Sequence, residues 1–401
     1  MKYAKKFLRS VIKLLGLLKI YHFALAWGAS VFYGRPSRQM TVIGVTGTKG
    51  KTTVAELISA ILNEAGEKTV LSSSHRFQVG DRSWTNKTGN TMPGRGLIQK
   101  LLRDGAKIGS KYGIVEVVSE GVVQYRHKFM DFDIAVFTGL HPEHIESHGG
   151  LEKYREAKLN FFRDVKKNSK KKDRKFVINK NNEHSKYFLE IAGSDTVLYE
   201  KYDGPIKIIG DFNRENAAAA ATVAQLLGVS SDVIKNALAK FSGVPGRMEF
   251  VKQEPFKVVV DYAHTPGSLE AAYGALKNNG GGLICVFGSD GGGRDKWKRP
   301  ELGKIAGRHC KEIILTSENP YEEDPQKIIK EIRAGTKGSN ATVYEIPDRT
   351  AAIRKAINLA KPGDTIILTG KGSEPFMKMA KGKKIPWSDR DVAIKELGDK
   401  I

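Results

Sequence analysis

Cysteine is nearly absent: the 401 residues hold two, Cys285 and Cys310. Two thiols exclude a disulfide scaffold and a thiolate metal cluster, and they suit a reducing cytoplasm. Acid is scarce as well. Against 66 Lys+Arg stand 44 Asp+Glu, a formal net charge of +22. Residues 1–40 carry Lys2, Lys5, Lys6, Arg9, Lys13, Lys19, Arg35 and Arg38 and no acidic side chain at all. Long apolar runs are missing too. The uncharged stretch at residues 20–34 follows Lys19 and is shorter than the ~20 residues needed to cross a bilayer. A secretory signal is not expected, because a strand and a glycine-rich loop come soon after Arg38. Repeats and low-complexity segments are also lacking. What is present, 40% hydrophobic and 27% charged residues, is a globular composition that excludes disordered and fibrous chains. The length predicts two or three domains.

The basic excess points to anionic partners, whether nucleic acid, anionic lipid or phosphorylated metabolites. At ~100° per residue, Phe7, Val11, Leu14, Leu15 and Leu18 share one face of a helix and Lys2, Lys6, Arg9 and Lys13 the opposite one. Two readings of this basic amphipathic segment stand: a cap on the next domain, or attachment to an anionic membrane surface through residues 1–34. A second basic cluster, from Arg163 to Lys175, reads as a solvated loop, with anion binding as the alternative. No RNA-recognition or zinc-finger pattern accompanies either cluster, so nucleic acid is not expected as a partner.

From residue 41 short β-rich runs alternate with helical patterns, the mark of a mainly parallel sheet covered by helices. Strands are expected at 42–45, 114–118, 134–137 and 176–178. After the turn-rich segment 242–246 the alternation restarts, at 257–260, 283–287, 313–316, 342–344 and 365–368. The sharpest motif is Gly44-Val-Thr-Gly-Thr-Lys-Gly-Lys-Thr-Thr53, between a strand and a helical run. Its glycines let backbone N–H groups wrap a phosphate chain, Lys51 adds a point charge, and the Thr52 hydroxyl can hold Mg²⁺. The strict pattern asks for glycine where Val45 stands, so this loop is a variant. Glu116 at a strand end and the segment Thr138-Gly-Leu-His-Pro-Glu-His144 offer oxygen and imidazole groups for cations beside a triphosphate. The expected fold is therefore α/β. It comprises an N-terminal amphipathic helical segment (1–40), a central P-loop ATP-binding domain (41–243) and a C-terminal Rossmann-like α/β domain (244–401).

These residues, with others along the chain, resemble the Mur ligase family, ATP-dependent amide-bond ligases of cell-wall synthesis. Thr46–Thr53 resembles its phosphate loop, Glu116-Val-Val-Ser-Glu with Arg126 its metal-and-substrate segment, and Asp211-Phe-Asn-Arg-Glu-Asn216 its adenine side. Glu143-His144, His148-Gly149, Tyr154 and Ala157-Lys158 resemble the block in which the family uses the histidine as a metal ligand and carbamylates the lysine. In the second half the similar segments are Pro245-Gly-Arg247, Asp261-Tyr-Ala-His264, Gly291-Gly-Gly-Arg294, Glu318-Asn-Pro-Tyr321 and Gly370-Lys-Gly-Ser-Glu374. The set is most similar to the branch that adds the third residue of the peptidoglycan stem.

The resemblance implies roles. ATP would meet Gly47, Thr48, Lys49, Gly50, Lys51, Thr52, Thr53, Asn213, Asn216, Arg247, Asp261 and His264, with Arg247 and Asp261 reaching it when the domains close. Mg²⁺ would be held by Thr52, Glu116, His144 and a carbamylated Lys158, with Lys51, Lys158, His144 and Glu116 carrying catalysis. Acceptor and amino acid would meet Thr91, Ser119, Arg126, Arg294, Asn319, Tyr321, Gly370 and Glu374. The implied chemistry is attack of a substrate carboxylate on ATP to give an acyl phosphate, then displacement of phosphate by an amine. Partners would be ATP, an anionic muramoyl-peptide acceptor and a free amino acid, in the cytoplasm and peripherally at the inner membrane face.

The chain also departs from the family. Only ~40 residues precede the phosphate loop, too few for the domain that holds the acceptor's uridine diphosphate. Acceptor binding is therefore expected to differ, by a nucleotide-linked or a lipid-linked precursor. Tyr321 replaces the arginine that grips diaminopimelate, which argues for lysine or another amine. Val118, Glu120 and Ser373 stand in place of serine, histidine and histidine. A P-loop ATPase or switch without ligation, a nucleotide-binding membrane scaffold and a folate-polyglutamate-type ligase remain as rival readings.

Overall fold

A computed structural model describes residues 17–94, 96–143, 148–277 and 281–398. Their contacts divide into two compact units, one of residues 17–140, 151–206 and 214–241, the other of 141–150, 207–213 and 242–398. The amphipathic helix expected near residues 2–18 lies almost wholly outside the described residues.

In the first unit the run after Lys19 forms helix α1 (Leu18–Phe32). It stops at Gly34 with φ of 73° and at Pro36, which cannot continue a helix. Ser30 Oγ donates to the Phe129 carbonyl at 3.0 Å, and the Phe23 ring meets Phe129 edge-on at 5.0 Å, so α1 packs on this unit. Among the described residues no helix is long and apolar enough to cross a membrane.

The sheet of this unit has eight strands: β1 (Thr41–Thr46), β2 (Thr69–Ser72), β3 (Arg76–Val79), β4 (Arg82–Thr85), β5 (Tyr112–Glu116), β6 (Ile134–Phe137), β7 (Lys175–Asn179) and β8 (Thr196–Tyr199). Their order is β4-β3-β2-β5-β1-β6-β7-β8. All neighbours run parallel except the β2-β3 and β3-β4 pairs. Val42, Ile43 and Val45 on β1 and Ile134, Ala135, Val136 and Phe137 on β6 are all buried, as a sheet covered on both faces requires. Helices α2 (Lys51–Glu64), α3 (Leu97–Lys107) and α4 (Leu151–Asn168) supply the covers. The strand expected at 114–118 ends instead at Glu116, where the chain leaves the ladder with a buried carboxylate at the strand end. Strand β2, the antiparallel pair β3-β4 and the edge strand β8 escaped the pattern reading. Strand β4 is exposed along its length and β8 lies at the sheet's edge, so neither carries the continuous apolar signal of a central strand.

The second unit repeats the architecture with six strands: β9 (Glu249–Lys252), β10 (Lys257–Val260), β11 (Leu283–Phe287), β12 (Glu312–Leu315), β13 (Thr342–Glu345) and β14 (Thr365–Leu368). The order is β13-β12-β11-β14-β10-β9, parallel but for β9. Cores on the two faces include Cys285, Phe287 and Ile313 on one side and Val258, Ile284 and Ile366 on the other. Cys285 on β11 and Cys310, at the end of the helix Lys298–His309, form a disulfide with their Cα atoms 6.1 Å apart. The two are 25 positions apart in sequence but meet because that helix returns the chain to β12, the parallel neighbour of β11. One cross-link is still no scaffold, yet a reducing setting did not anticipate it.

Candidate functional site

In the first unit the chemistry sits where parallel strands end and helices begin. Strand β1 runs into the glycine-rich loop, and α2 starts at Lys51. Gly50 has φ of 78°, and a Cβ there would stand 2.3 Å from Asn216 Oδ1, so any other residue would be strained and would displace the Asn216 side chain. Lys51 Nζ donates to the Thr48 carbonyl at 2.8 Å. The Thr48 amide in turn donates to the Gly139 carbonyl at 2.8 Å, and Thr138 Oγ1 donates to the Lys49 carbonyl at 2.5 Å. The loop is thus fixed from both sides, leaving a ring of backbone amides at the start of a helix, which is an anion-binding arrangement.

Two acidic and basic partners close on that loop. Thr52 Oγ1 lies 3.2 Å from both Glu116 oxygens and 2.7 Å from Ser74 Oγ, while the Ser74 amide donates to Glu116 at 2.8 Å. The set is made of hard oxygens, which suits Mg²⁺ held partly by phosphate. No group of three or more His, Cys, Asp and Glu that could hold a metal occurs among the described residues. Lys158, 1% exposed, donates from Nζ to the Gly47 carbonyl at 2.7 Å and lies 4.6 Å from the Tyr154 ring centroid. The Tyr154 hydroxyl pairs with Thr48 Oγ1 at 3.1 Å. Thr53, in the first turn of α2, is buried as well. His144 lies outside the described residues.

A little farther along the same unit, Arg126 donates to the Met92 carbonyl and, at 2.6 Å, to Gln124. Segment 90–93, with half-buried Thr91, is thereby joined to the turn that opens at buried Ser119. A Cβ on Gly121 of that turn would reach 2.5 Å from Met92 Sδ, which measures how closely the two segments pack.

The second unit holds its own polar cluster. Asp261 is buried after β10 and accepts from the Met248 and Ala263 amides at 2.8 and 2.7 Å. Burial lifts its carboxyl above the ordinary range, against the opposing pull of Arg247. The Arg247 guanidinium lies over the Tyr262 ring at 4.1 Å. His264 holds the Tyr262 carbonyl at 2.7 Å and Glu143 at 2.8 Å. Burial works to lower its pKa, but the Glu143 carboxylate outweighs it and the net direction is up. Asn213 is buried, its side chain donating to the Ile209 carbonyl at 2.7 Å.

Beyond the ends of β11, β12 and β14 a denser network forms. Asn319 Nδ2 donates to Asp290 at 2.8 Å and to Glu374 at 3.1 Å, and Lys371 Nζ donates to Asn319 at 2.8 Å and to Glu374 at 2.6 Å. Burial acts to raise the Glu374 carboxyl, but Lys371 and then Lys378 outweigh it and hold it at about 2. Glu318 is pushed up to about 7 by burial and then by Asp290, against the weaker opposing pull of His264, Lys298 and Arg349. Gly370 lies against it, since a Cβ would stand 2.3 Å from Glu318 Oε2. Arg294 pairs with Asp290 at 3.3 Å and lies 5.2 Å over the Tyr321 ring.

This geometry has relatives. Residues 45–205 match the family described as Mur ligase middle domain, and residues 246–372 match Mur ligase, glutamate ligase domain. A UDP-N-acetylmuramoyl-L-alanyl-D-glutamate--2,6-diaminopimelate ligase of Aquifex aeolicus (strain VF5) is 36% identical over 94% of this chain and 81% of its own. The chain belongs to the Mur ligase family. It is an ATP-dependent carbon–nitrogen ligase of the kind that serves peptidoglycan synthesis. A UDP-N-acetylmuramyl-tripeptide synthetase of Roseiflexus sp. (strain RS-1) is 37% identical to this Mur ligase, covering 94% of it and 82% of the relative. A solved diaminopimelate ligase structure superposes with a TM-score of 0.59 at 28% identity, over 90% of this chain and 79% of that one. Folylpolyglutamate synthase of Mycobacterium tuberculosis reaches a TM-score of 0.70 at 17% identity, over 89% and 96%, a likeness of fold alone.

Within each unit of this Mur ligase the sequence-derived residues fall into neighbourhoods. Gly47 to Thr53, Glu116, Lys158 and Asn216 share the loop region of the first unit, and Thr91, Ser119 and Arg126 share another part of it. Arg247, Asp261 and His264 form one group in the second unit, and Arg294, Asn319, Tyr321, Gly370 and Glu374 another. Sequence reasoning passed over Ser74, Asp290, Glu318, Lys371 and Lys378 as site residues. Their signals were present but faint: a serine run after β2, an aspartate before Gly291-Gly-Gly, and charged positions beside Asn319 and Glu374.

Proposed function

We propose that this Mur ligase joins a free amino acid to a muramoyl-peptide precursor, with UDP-MurNAc-L-Ala-D-Glu as acceptor, through an acyl phosphate. The reading rests first on the meeting of Lys51, Thr52 and Glu116 at the strand ends beside a glycine loop. The acceptor carboxylate attacks the γ-phosphorus of ATP, ADP leaves, and the amine of the amino acid then displaces phosphate from the acyl carbon. Lys51 and the loop amides neutralise charge as it moves toward the β-phosphate. Thr52 and Glu116, with His144 and a carbamylated Lys158, would hold Mg²⁺, which supplies charge neutralisation when bound. A carbamate on Lys158 would replace a repelling ammonium by an anionic oxygen. In this reading residues 41–243 handle nucleotide and 244–401 the incoming amino acid, with Arg247, Asp261, His264 and Asn213 serving ATP.

The diaminopimelate named for several relatives does not transfer directly, because Tyr321 offers no guanidinium fork for a distal carboxylate. Lysine or a similar amine is the proposed substrate. A cytoplasmic enzyme with residues 1–34 against an anionic membrane face is part of the same proposal. The exposed apolar side chains of α1 favour a second reading, a lipid-linked acceptor.

Incubation with ATP, Mg²⁺, nucleotide-linked or lipid-linked muramoyl dipeptide and a panel of amino acids, read by product mass, tests both. The expected product is acceptor plus one lysine-like residue, with ADP formed only when acceptor is present. Hydrolysis of ATP that ignores the acceptor would overturn ligation, and selective use of diaminopimelate would overturn the choice of amine.

A further inference from the structure

Helix α1 and the segments that precede the central strands enclose a cavity of about 420 Å³. Arg38 precedes β1, Phe132 precedes β6, and Asn168 to Lys170 precede β7, so the cavity lies at the amino ends of the parallel strands. The phosphate loop leaves the carboxyl end of β1, so the six-residue length of that strand, ~20 Å at ~3.3 Å per residue, separates the two. This cavity is not part of the nucleotide site.

Its walls have two characters. Phe23, Trp27 and Val31 of α1 line it with Phe129, whereas Arg35, Arg38, Lys128 and Lys170 bring four cations against the carboxylates of Asp131 and Asp164. Both carboxylates are already engaged: Asp131 by Arg38 at 2.9 Å and Asp164 by Lys128 at 2.6 Å. Arg35 and Lys170 have no carboxylate partner among the described residues, so a pair of uncompensated charges remains. His127, 3% exposed, also lines the cavity. Its Nε2 lies 2.5 Å from Asp164, which as a carboxylate can only accept, so the proton sits on Nε2 of the neutral ring. Nδ1 is then an acceptor, and it is buried with no hydrogen-bond partner among the described residues.

An occupant therefore needs an anionic group for the cations and an apolar body. Along α1, Ile20 and the cavity-lining Phe23, Trp27 and Val31 recur at the i, i+3, i+7, i+11 spacing of one helical stripe, and all are exposed, Trp27 by 53%. The described chain begins at residue 17, and the segment before it carries five basic side chains and no acid. We propose that α1 docks on an anionic bilayer and that the cavity takes the headgroup of an anionic phospholipid, its phosphate facing Arg35 and Lys170. The proposal deepens the membrane contact put forward above and rests on it; ligation of a soluble acceptor does not depend on it.

The test is sedimentation of the full chain with vesicles of phosphatidylcholine alone or with added phosphatidylglycerol. Three double variants accompany it: Arg35→Gln/Lys170→Gln in the cavity, Ile20→Ser/Trp27→Ser on the stripe, and Lys337→Gln/Lys361→Gln as a control that removes equal charge from exposed positions of the second unit. Binding to the anionic vesicles is expected to fall roughly thirtyfold in the cavity variant, about fivefold per lost charge, and to stay within about twofold in the control. Loss in the stripe variant is also expected, and free glycerol phosphate should compete weakly, separating headgroup recognition from bulk attraction. Equal binding to neutral vesicles would overturn the whole proposal. Undiminished binding of the cavity variant, or an equal loss in the control, would overturn the headgroup site while leaving the membrane contact standing. Glycerol phosphate bound as tightly without vesicles would show a soluble-anion site and overturn the bilayer as its source.

Discussion

Lys158 poses the sharpest question at the scale of single residues. A lysine that is 1% exposed and donates to the Gly47 carbonyl is a structural strut on its own terms. Only the resemblance turns it into an anionic metal ligand. The two roles separate experimentally, because a strut is indifferent to CO₂. Lys158→Ala is expected to lower turnover by ~10²–10³-fold, and enzyme stripped of CO₂ should regain activity when bicarbonate is added. Full activity in the variant, read by ADP release, would remove Lys158 from the site. Gly50 gives a second test: alanine there must hold φ near 78° and displace Asn216, at ~1–2 kcal/mol for the backbone alone. Gly50→Ala should therefore lower both the urea midpoint and ATP affinity. Phosphate-loop residues were legible because the chemistry demands them in one contiguous run. Ser74 was not, since it meets Thr52 and Glu116 across 22 and 42 positions that only the sheet brings together.

Glu318 belongs to the same scale but speaks through pH. Its folded pKa of about 7 lies above the ordinary carboxylate value of 4.5. Between those values the unfolded chain has lost this proton while the folded chain keeps it, so stability falls as pH rises from about 4.5 to about 7. Glu318→Gln removes that term. The variant is expected to be no less stable than the wild type at pH 8, and its urea midpoint should decline less between pH 5 and pH 8. An unchanged slope would mean that Glu318 ionises normally. Glu374 works with the opposite sign: depressed to about 2, it stabilises above pH 4.5 and the gain fades on acidification.

Elements are held by contacts that sequence pattern does not reveal. In the second unit the helix Arg349–Leu359 and the helix Asp389–Gly398 share a fully buried ion pair, Arg349 Nε and Nη2 each 2.7 Å from an Asp389 oxygen. The same guanidinium donates to the Thr369 and Ser317 carbonyls at 2.8 and 3.2 Å, so one side chain ties the ends of β14 and β12 to both helices. Removing one partner leaves a buried charge without compensation. Arg349→Ala is expected to cost about 3–5 kcal/mol in urea unfolding, and Arg349→Met/Asp389→Leu distinctly less. If the double variant were the worse, the pair would be a net stabiliser rather than a matched burden. Strands β1, β5, β6 and β7 were legible because burial on both faces makes them apolar runs, whereas β2, equally buried, holds only Val70 and Leu71 between Thr69 and Ser72 and gave no such run. Strands β4 and β8 were not, because partial exposure leaves polar residues among the apolar ones, and the disulfide depended on a helix whose return could not be counted from spacing.

At the scale of the molecule the charge of +22 demands an account. Self-repulsion of this size destabilises a compact chain and attracts any polyanion, so weak adhesion to nucleic acid in low salt is expected without being a function. Counterion release distinguishes adhesion from recognition. Contacts to several phosphates weaken binding by ~10³-fold or more between 50 and 200 mM salt whatever the base sequence. Retention of a random oligonucleotide should follow that slope, and nuclease treatment should leave ligase turnover unchanged. A complex that prefers a sequence and survives 200 mM salt would contradict the exclusion of nucleic acid. Headgroup binding in the cavity under α1 should weaken less steeply over the same interval, because the apolar and aromatic side chains share the contact and are not screened. The ratio of the two salt slopes, measured on one preparation, therefore separates the part of the +22 that is diffuse from the part that is placed.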